Sequence, residues 1–440
     1  MPGRQSVPTL ERMVALCDLM GDPQTDYPVI HVTGTNGKGS TVAIVAELLS
    51  STGLSVGTFT SPDLSSVNER IARNDEPISD KDLIEVLAAL AALETLMDRR
   101  PTRFELLAAA AFRWFSDVAV DVAVIEVGLG GRWDATNVVA PVVSVVTNVS
   151  EDHLDVLGPT LKDVAGEKSG IVKPDSSLVL GETDPDLVEI FVKAAEHAGG
   201  VVVWKRGADP DDGDFACDSN DVAVGGRILD LRTPNARYEQ VFLGLHGAHQ
   251  GDNAACALAA SEAFFAAPLD DEVVRSAMSS VSIPGRLEIV SRAPLVLLDG
   301  AHNVAGAEAL SRSLQGDFRV VGPVVAVVGL LVGRDPVAML TALRKGGVDR
   351  VVACPAPTPR TMPVGDLLVA CRSVGLRAEG ALSVPDALAR ATSLAGEEGL
   401  VVVTGSLYVV GEARSVVLSG DDDASGNGHV SDLDVPPWHR

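Results

Sequence analysis

The run His31-Val32-Thr33-Gly34-Thr35-Asn36-Gly37-Lys38-Gly39-Ser40-Thr41 carries the strongest chemical signal in the chain. Its glycines let backbone N–H groups turn toward an anion. A helix start just beyond them adds partial positive charge, and Lys38 adds a full one. Residues Gly34, Thr35, Asn36, Gly37, Lys38, Gly39, Ser40 and Thr41 are therefore expected to cradle phosphate. The spacing departs from G-x-x-x-x-G-K-[ST]: the loop is shorter, and Gly39 stands where a hydroxyl residue would hold Mg²⁺. Ligands for Mg²⁺ are thus expected partly from elsewhere. The plain alternative is a glycine-rich turn with a solvated lysine. The position of the run, after a buried strand and before a helix, argues against it.

Three further segments supply polar residues that a core does not need. Ser61 opens a long loop after the second strand. Glu126 ends the apolar run Asp121–Val127, and His153 lies just past the run Val142–Thr147. Hard oxygen ligands with one imidazole suit Mg²⁺ bridging nucleotide phosphates. Alone, Glu126 reads equally well as an ion-paired structural carboxylate and His153 as a hydrogen-bonded loop histidine. Together, at the ends of strands beside a phosphate loop, they read as ligands. Lys168, in Glu167-Lys168-Ser169-Gly170, falls at a helix end, where the residues alone favour capping of the last carbonyls.

These groups need a frame. Pro28–Thr33, Ser55–Phe59, Asp121–Val127 and Val142–Thr147 read as strands, the last two continuously apolar as in a parallel sheet covered on both faces. Helical periods run over Thr41–Ser51, 80–99 and 103–116, and the segment 60–76 reads as an irregular loop. In doubly wound sheets ligands sit at the carboxyl ends of strands, where the polar residues gather. From 201 to 245 short strands alternate with Asp/Gly-rich loops, followed by helices at 249–267 and 270–280. Ser282-Ile283-Pro284-Gly285 looks like a hinge. A second set follows: strands at 295–299, 323–328, 349–354 and 400–404, with helices at 304–315, 335–344, 363–373, 383–395 and up to about 417. The fold class is α/β. A P-loop-containing, doubly wound N-terminal domain (1–284) precedes a smaller, Rossmann-like α/β C-terminal domain (285–417), and 418–440 reads as a disordered acidic tail.

The 440 residues exceed one ordinary core, and 46% are hydrophobic but only 4% aromatic, so Ala, Val and Leu must fill the interior. Sixty acidic against 35 basic residues give a formal charge of −25, which argues against nucleic acid or an anionic membrane as partner. Any phosphate site must then be locally positive. The five cysteines are scattered without a CxxC pair, as in a reducing compartment. No apolar run approaches a membrane span, and the first residues lack a signal segment. The cytoplasm is the expected location.

The segments HVTGTNGKGST, TSPDLSSVNERI, IEVGLGGRWDATN, EDHLDVLG, GEKSGIVKP, HQGDNAACALAA, PGRLE and DGAHN occur in that order. In this the chain resembles folylpolyglutamate synthases and bifunctional dihydrofolate synthases, members of the Mur ligase group, over about residues 10–417. The resemblance implies an ATP- and Mg²⁺-dependent ligase that adds L-glutamate to dihydropteroate, to tetrahydrofolates, or to both, through an acyl phosphate. Lys38 would hold the phosphates. Ser61, Glu126 and His153 would be Mg²⁺ ligands, and Lys168 the lysine that is carbamylated to support a second ion. Asn253 would contact adenine, and Arg286 and Asp299 the ATP from the second domain. His302 would lie near the γ-phosphate and the incoming glutamate. Phe104 and Glu105 resemble a pair lining the pterin site; Asp63 and Ser406 fall with the substrate-contacting residues. Asp63 stands where the family often has His, and Val304 follows DGAHN where Pro is frequent.

A peptidoglycan-precursor ligase of the same group would need a further N-terminal domain, and the phosphate loop already begins at Gly34. A P-loop kinase or NTPase would need no second half with DGAHN. The expected partners are therefore small molecules, without nucleic acid or membrane, and the expected state is a monomer.

Overall fold

The computed structural model describes residues 9–208 and 212–424. Its largest sheet has eight strands: β1 (Val29–Thr33), β2 (Val56–Phe59), β3 (Ile71–Arg73), β4 (Glu76–Pro77), β5 (Val122–Glu126), β6 (Val143–Val146), β7 (Ser177–Leu180) and β8 (Val202–Lys205). Their spatial order is β4-β3-β2-β5-β1-β6-β7-β8. All pairs from β2 to β8 are parallel, and β3 and β4 add an antiparallel edge.

Both faces are covered, which is why the central strands are buried along their whole length and mostly apolar. Along β1, Val29 joins the core under α1 (Glu11–Met20), α3 (Asp80–Glu94) and α4 (Arg103–Asp117). Its neighbours Ile30 and Val32 join the opposite core, with α2 (Lys38–Ser51), α8 (His249–Phe265) and α9 (Asp271–Ser280). Strand β5 alternates likewise, Val122 and Val124 to one side, Ala123 and Ile125 to the other. Beyond β6 lie α5 (Leu154–Leu157), α6 (Leu161–Lys168) and α7 (Pro185–Ala198). A three-stranded antiparallel sheet of β9 (Ala216–Ala223), β10 (Gly226–Arg232) and β11 (Arg237–Leu243) leans on α8.

The second lobe has six strands: β12 (Glu288–Arg292), β13 (Leu295–Leu298), β14 (Val324–Val328), β15 (Arg350–Ala353), β16 (Arg377–Gly380) and β17 (Leu400–Thr404). The order is β12-β13-β17-β14-β15-β16, with only β12 antiparallel to its neighbour. Helices α10 (Val304–Gly316), α11 (Pro336–Lys345) and α12 (Val364–Ser373) cover one face, and α13 (Val384–Ala395) and α14 (Leu407–Ala424) the other.

The architecture is the expected α/β arrangement, with local corrections. Helix α2 starts at Lys38 rather than Thr41, so the lysine belongs to the first helical turn. The segment expected as irregular loop, 60–76, contains a 3-10 turn at Val67–Arg70 and the β3–β4 hairpin. That hairpin turns on Asn74-Asp75, both at positive φ, as the tight two-residue turn requires. Helix α3 stops at Glu94, short of 99. Helix α14 extends through Ala424, past 417 and into the stretch read as a disordered tail. The rest of that tail, 425–440, lies outside the described residues.

Candidate active site

The carboxyl ends of β5, β1 and β6 open on one cleft of about 330 Å³, roofed by the second lobe. Within the glycine-rich loop two glycines are obligatory. Gly34 has φ +152°, and a Cβ there would lie 1.8 Å from Thr147 Oγ1. Gly37 has φ +82°, and a Cβ would meet Asn253 Oδ1 at 2.3 Å. Any side chain would therefore push the loop off β6 and α8. Lys38 curls back so that Nζ donates to the carbonyls of Gly34 (3.1 Å) and Thr35 (3.3 Å), which fixes its ammonium over the loop.

Glu126 closes β5 and is only 4% exposed. Its Oε2 accepts from the Ser61 N–H at 3.1 Å and faces Gly39. Burial raises its pKa, opposed by the charges of Lys38 and Arg286. Among the described residues it has no ion-pair partner. His153 starts α5 with φ +51°; its Nε2 lies 3.6 Å from Asp152 Oδ1 and 3.5 Å from Arg334. A carboxylate, a hydroxyl and an imidazole at one rim form a donor set that fits Mg²⁺. Among the described residues no group of three or more His, Cys, Asp or Glu could hold a metal unaided. A cation bound there would complete its shell with water or phosphate oxygens.

Lys168 is not a solvated helix cap. It ends α6, lines the cleft and is 3% exposed. Burial, then repulsion from Lys38, brings its pKa down to about 7, with Asp152 and Asp134 pulling the other way. Near neutral pH a large fraction is free amine, a nucleophile rather than a cation.

The second lobe contributes the loop after β13. Asp299, 8% exposed, accepts from Leu287 N–H (3.1 Å) and Ala301 N–H (3.0 Å), tying that loop to the turn carrying Arg286. His302 Nδ1 lies 2.8 Å from the Gly300 carbonyl. A carbonyl only accepts, so Nδ1 carries the proton and Nε2 is left as an acceptor. Burial lowers its pKa to about 4, so the ring is neutral at pH 7. Ser406 Oγ accepts from Tyr408 N–H at 3.3 Å and lies at the start of α14, which points into the cleft.

Of the residues singled out from sequence, Gly34 through Ser40, Ser61, Glu126, His153, Lys168, Asn253, Arg286, Asp299, His302 and Ser406 all line this cleft. Thr41, Asp63, Phe104 and Glu105 do not. Thr41 is buried inside α2. Asp63 is ion-paired with Arg70 at 2.6 Å. The Phe104 ring lies against Phe59 and over Gly128. Glu105 caps α4 and pairs with Arg12 at 2.9 Å.

Sequence reading missed Asp152, Asn303, His249 and Arg334. Arg334, on the loop after β14, pairs with Asp152 at 2.5 Å across the cleft, and holds that carboxyl below its usual range against the opposing effect of burial. Asn303 Nδ2 donates to Asn36 (3.1 Å) and Asp152 (3.3 Å). The signal was available: Asp152 and Asn303 adjoin His153 and His302, and Arg334 follows a buried parallel strand.

Two α/β lobes closing on a glycine-rich loop, with a neutral histidine and a buried lysine between them, are the arrangement of a two-lobed, nucleotide-dependent ligase core. The model of the Mur ligase middle domain matches residues 32–261, and that of the Mur ligase glutamate ligase domain matches 285–407. The dihydrofolate synthase/folylpolyglutamate synthase of Mycobacterium tuberculosis is 38% identical, across 93% of this chain and 90% of that one. The structure of Mycobacterium tuberculosis folylpolyglutamate synthase complexed with ADP superposes with a TM-score of 0.89 at 38% identity, covering 94% and 95% of the two chains. That of Escherichia coli FolC in complex with DHPP and ADP gives 0.84 at 29% identity, covering 95% of each. The chain belongs to the Mur ligase family, in its dihydrofolate synthase/folylpolyglutamate synthase group.

Proposed function

We propose that this enzyme, an ATP-dependent amide-bond ligase, joins the amine of L-glutamate to a carboxylate of dihydropteroate and of reduced folates. The observation that carries this reading is the meeting, in one cleft, of the glycine-rich loop with Arg286 and the Asp299–His302 loop of the other lobe. Kinase-like transfer needs only the first half. A ligase needs the second, because an amine must reach the activated carbonyl. The two halves divide at the turn through Pro284-Gly285.

A free carboxylate is a poor acylating agent because oxide is a poor leaving group. Attack of the acceptor carboxylate on the γ-phosphorus gives an acyl phosphate and ADP. Attack of the glutamate amine on that carbonyl then expels phosphate and forms the amide. The loop N–H groups, Lys38 and Arg286 would neutralise charge during phosphoryl transfer. Ser61, Glu126 and His153 would hold Mg²⁺, which when bound supplies charge neutralisation at the phosphates. The buried, half-neutral amine of Lys168 suits addition of CO₂, giving a carbamate and a proton, and the resulting anion would support a second ion. His302, neutral with Nε2 unprotonated, suits accepting a hydrogen bond from the glutamate amine and orienting it toward the carbonyl. Ser406 and the N-terminus of α14 suit a substrate carboxylate. The cleft roof excludes water from the acyl phosphate.

Asn253 lies against Gly37, on the side where a nucleotide base would extend from the loop. The pterin would lie toward Phe104, outside the cleft lining, with Glu105 positioned beside it and Asp63 influencing selectivity through the loop it shares with Ser61. We read the enzyme as a cytoplasmic monomer; among the described residues no helix is long and apolar enough to cross a membrane. Light scattering in solution tests the monomer. Glutamate-dependent phosphate release with dihydropteroate or tetrahydrofolate, product masses being read alongside, tests the activity. Addition to only one acceptor would narrow the reading to that acceptor.

A further inference from the structure

Helix α10 is anchored to the first lobe at both ends. At its start, Asn303 donates to Asn36 in the glycine-rich loop. At its end, about 21 Å away by helical rise, the capping residue Asp317 crosses to the first lobe again. Its Oδ1 accepts from Arg227 Nη1 at 2.8 Å, and its Oδ2 accepts from the Gly247 N–H at 2.6 Å. The two side chains are 5% and 4% exposed, although each stands on a different lobe.

Arg227 donates from each of its three nitrogens at this junction. Its Nε donates to Asn220 Oδ1 and its Nη2 to the Asn220 carbonyl at 2.8 Å. Asn220 in turn donates from Nδ2 to the Ala248 carbonyl at 2.7 Å. Gly247 and Ala248 are the two residues that lead into α8, and Ala248 offers no side-chain cap of its own. The start of α8 is thus defined from outside, by Asp317 on one backbone group and by Asn220, steered by Arg227, on the next. The first turns of α8 carry His249 and Asn253 into the cleft, while Gly306, Ala309 and Leu310 of α10 form the facing wall. His246 beside them packs its ring at a tilt against Phe318, 5.1 Å between ring centroids, so a ring contact backs the same junction.

We propose that Asp317 and Arg227 are a positioning pair that sets the spacing between α10 and the start of α8, and thereby the nucleotide-base side of the cleft. This rests on the nucleotide reading of the site. Neither residue reaches the glutamate side, where Arg334, His302 and Ser406 lie. Loss of the pair therefore weakens ATP selectively. A residue serving only stability would instead alter all substrates alike.

The test uses full-length enzyme in four forms: wild type, Asp317→Asn, Asp317→Ala and Arg227→Met. ADP binding is measured by calorimetry, and KM is measured for ATP, glutamate and acceptor. The expected result is ADP and ATP affinity weaker by about tenfold or more in Asp317→Ala and Arg227→Met, with KM for glutamate and acceptor within about twofold. Asp317→Asn keeps one acceptor oxygen, enough for Arg227 or for the Gly247 N–H but not for both, and recovers at most part of the affinity. ADP binding equal to wild type in both disruptive variants overturns the pairing role. So does a parallel rise in all three KM values. If Asp317→Ala does not fold, the Asp317→Asn and Arg227→Met comparison decides on the same criteria. Wild type that binds no ADP would instead remove the nucleotide reading, and the proposal with it.

Discussion

Lys38 and Lys168 stand at one end of one cleft, yet their surroundings make them different reagents. Lys38 is held by two loop carbonyls and sits half-exposed at a helix start. Lys168 is buried, with a pKa near 7. Lys38→Ala should cut ATP turnover by about a thousandfold, with the melting temperature within about 2 °C of wild type, because the side chain supports no core. Normal turnover by a folded Lys38→Ala protein would end its phosphate role. For Lys168 the lowered pKa sets a pH signature. CO₂ adds only to the neutral amine, whose fraction grows as pH rises through about 7 rather than through 10.5. Enzyme stripped of CO₂ should regain activity, at fixed dissolved CO₂, at a rate that reaches half its plateau near pH 7. A rate still climbing steeply above pH 9 would mean an ordinary exposed lysine. At this scale the glycine-rich loop was legible because its spacing serves little else. Arg334 was not, since an arginine in a loop carries no pattern until its partner Asp152 is known.

Among the elements, those buried on both faces were the easiest to read. Strands β1, β5 and β6 and the second-lobe strands β13, β14, β15 and β17 are predominantly apolar runs, and their limits fall within a residue or two of expectation; β16, polar and at a sheet edge, was not expected. Strands β3 and β4 escaped because they are three and two residues long, polar, and at a sheet edge. Their pairing is supplied by β2, not by their own sequence. The loop joining β2 to this hairpin also docks on the other lobe. Leu64 reaches the second-lobe core that contains Val409 and Val410, and a Cβ on Gly411 would lie 1.9 Å from the Leu64 carbonyl. Gly411→Ala should therefore displace the segment that carries Ser61. We expect kcat to fall about tenfold or more, with helix content by circular dichroism unchanged. Unaltered kcat would show that Leu64 docking does not position the Ser61 loop.

At the scale of the molecule, the contacts that join the lobes around the cleft are polar, Asn303 with Asn36, Arg334 with Asp152, and Arg227 with Asp317, and two small apolar contacts, Leu64 on the second-lobe core and His246 on Phe318, flank them. Such contacts can open without exposing a large apolar face. The turn through Pro284-Gly285 is tied by the Glu288 carboxylate, which also pairs with Arg414, so motion there would be hinge-like around a fixed corner. Small-angle scattering should show an equal or smaller radius of gyration when an ATP analogue and acceptor are added together, and a larger one for Arg334→Ala without ligands. An Arg334→Ala protein as compact as wild type would mean that this ion pair does not hold the lobes. The two-lobed plan was legible from the alternation of strands and helices. How the lobes face each other was not, because each interlobe contact joins residues about 90 to 270 positions apart.

The central claim is that the cleft activates a carboxylate as an acyl phosphate and hands it to glutamate. The most direct measurement uses acceptor labelled with ¹⁸O in its carboxylate, Mg²⁺-ATP and glutamate, with the released phosphate and the product read by mass spectrometry. One ¹⁸O atom is expected in phosphate for each glutamate added, since the oxygen that attacks phosphorus leaves with it. Product formed with no label in the phosphate would contradict the acyl phosphate, and label transfer without any glutamate adduct would contradict the ligase.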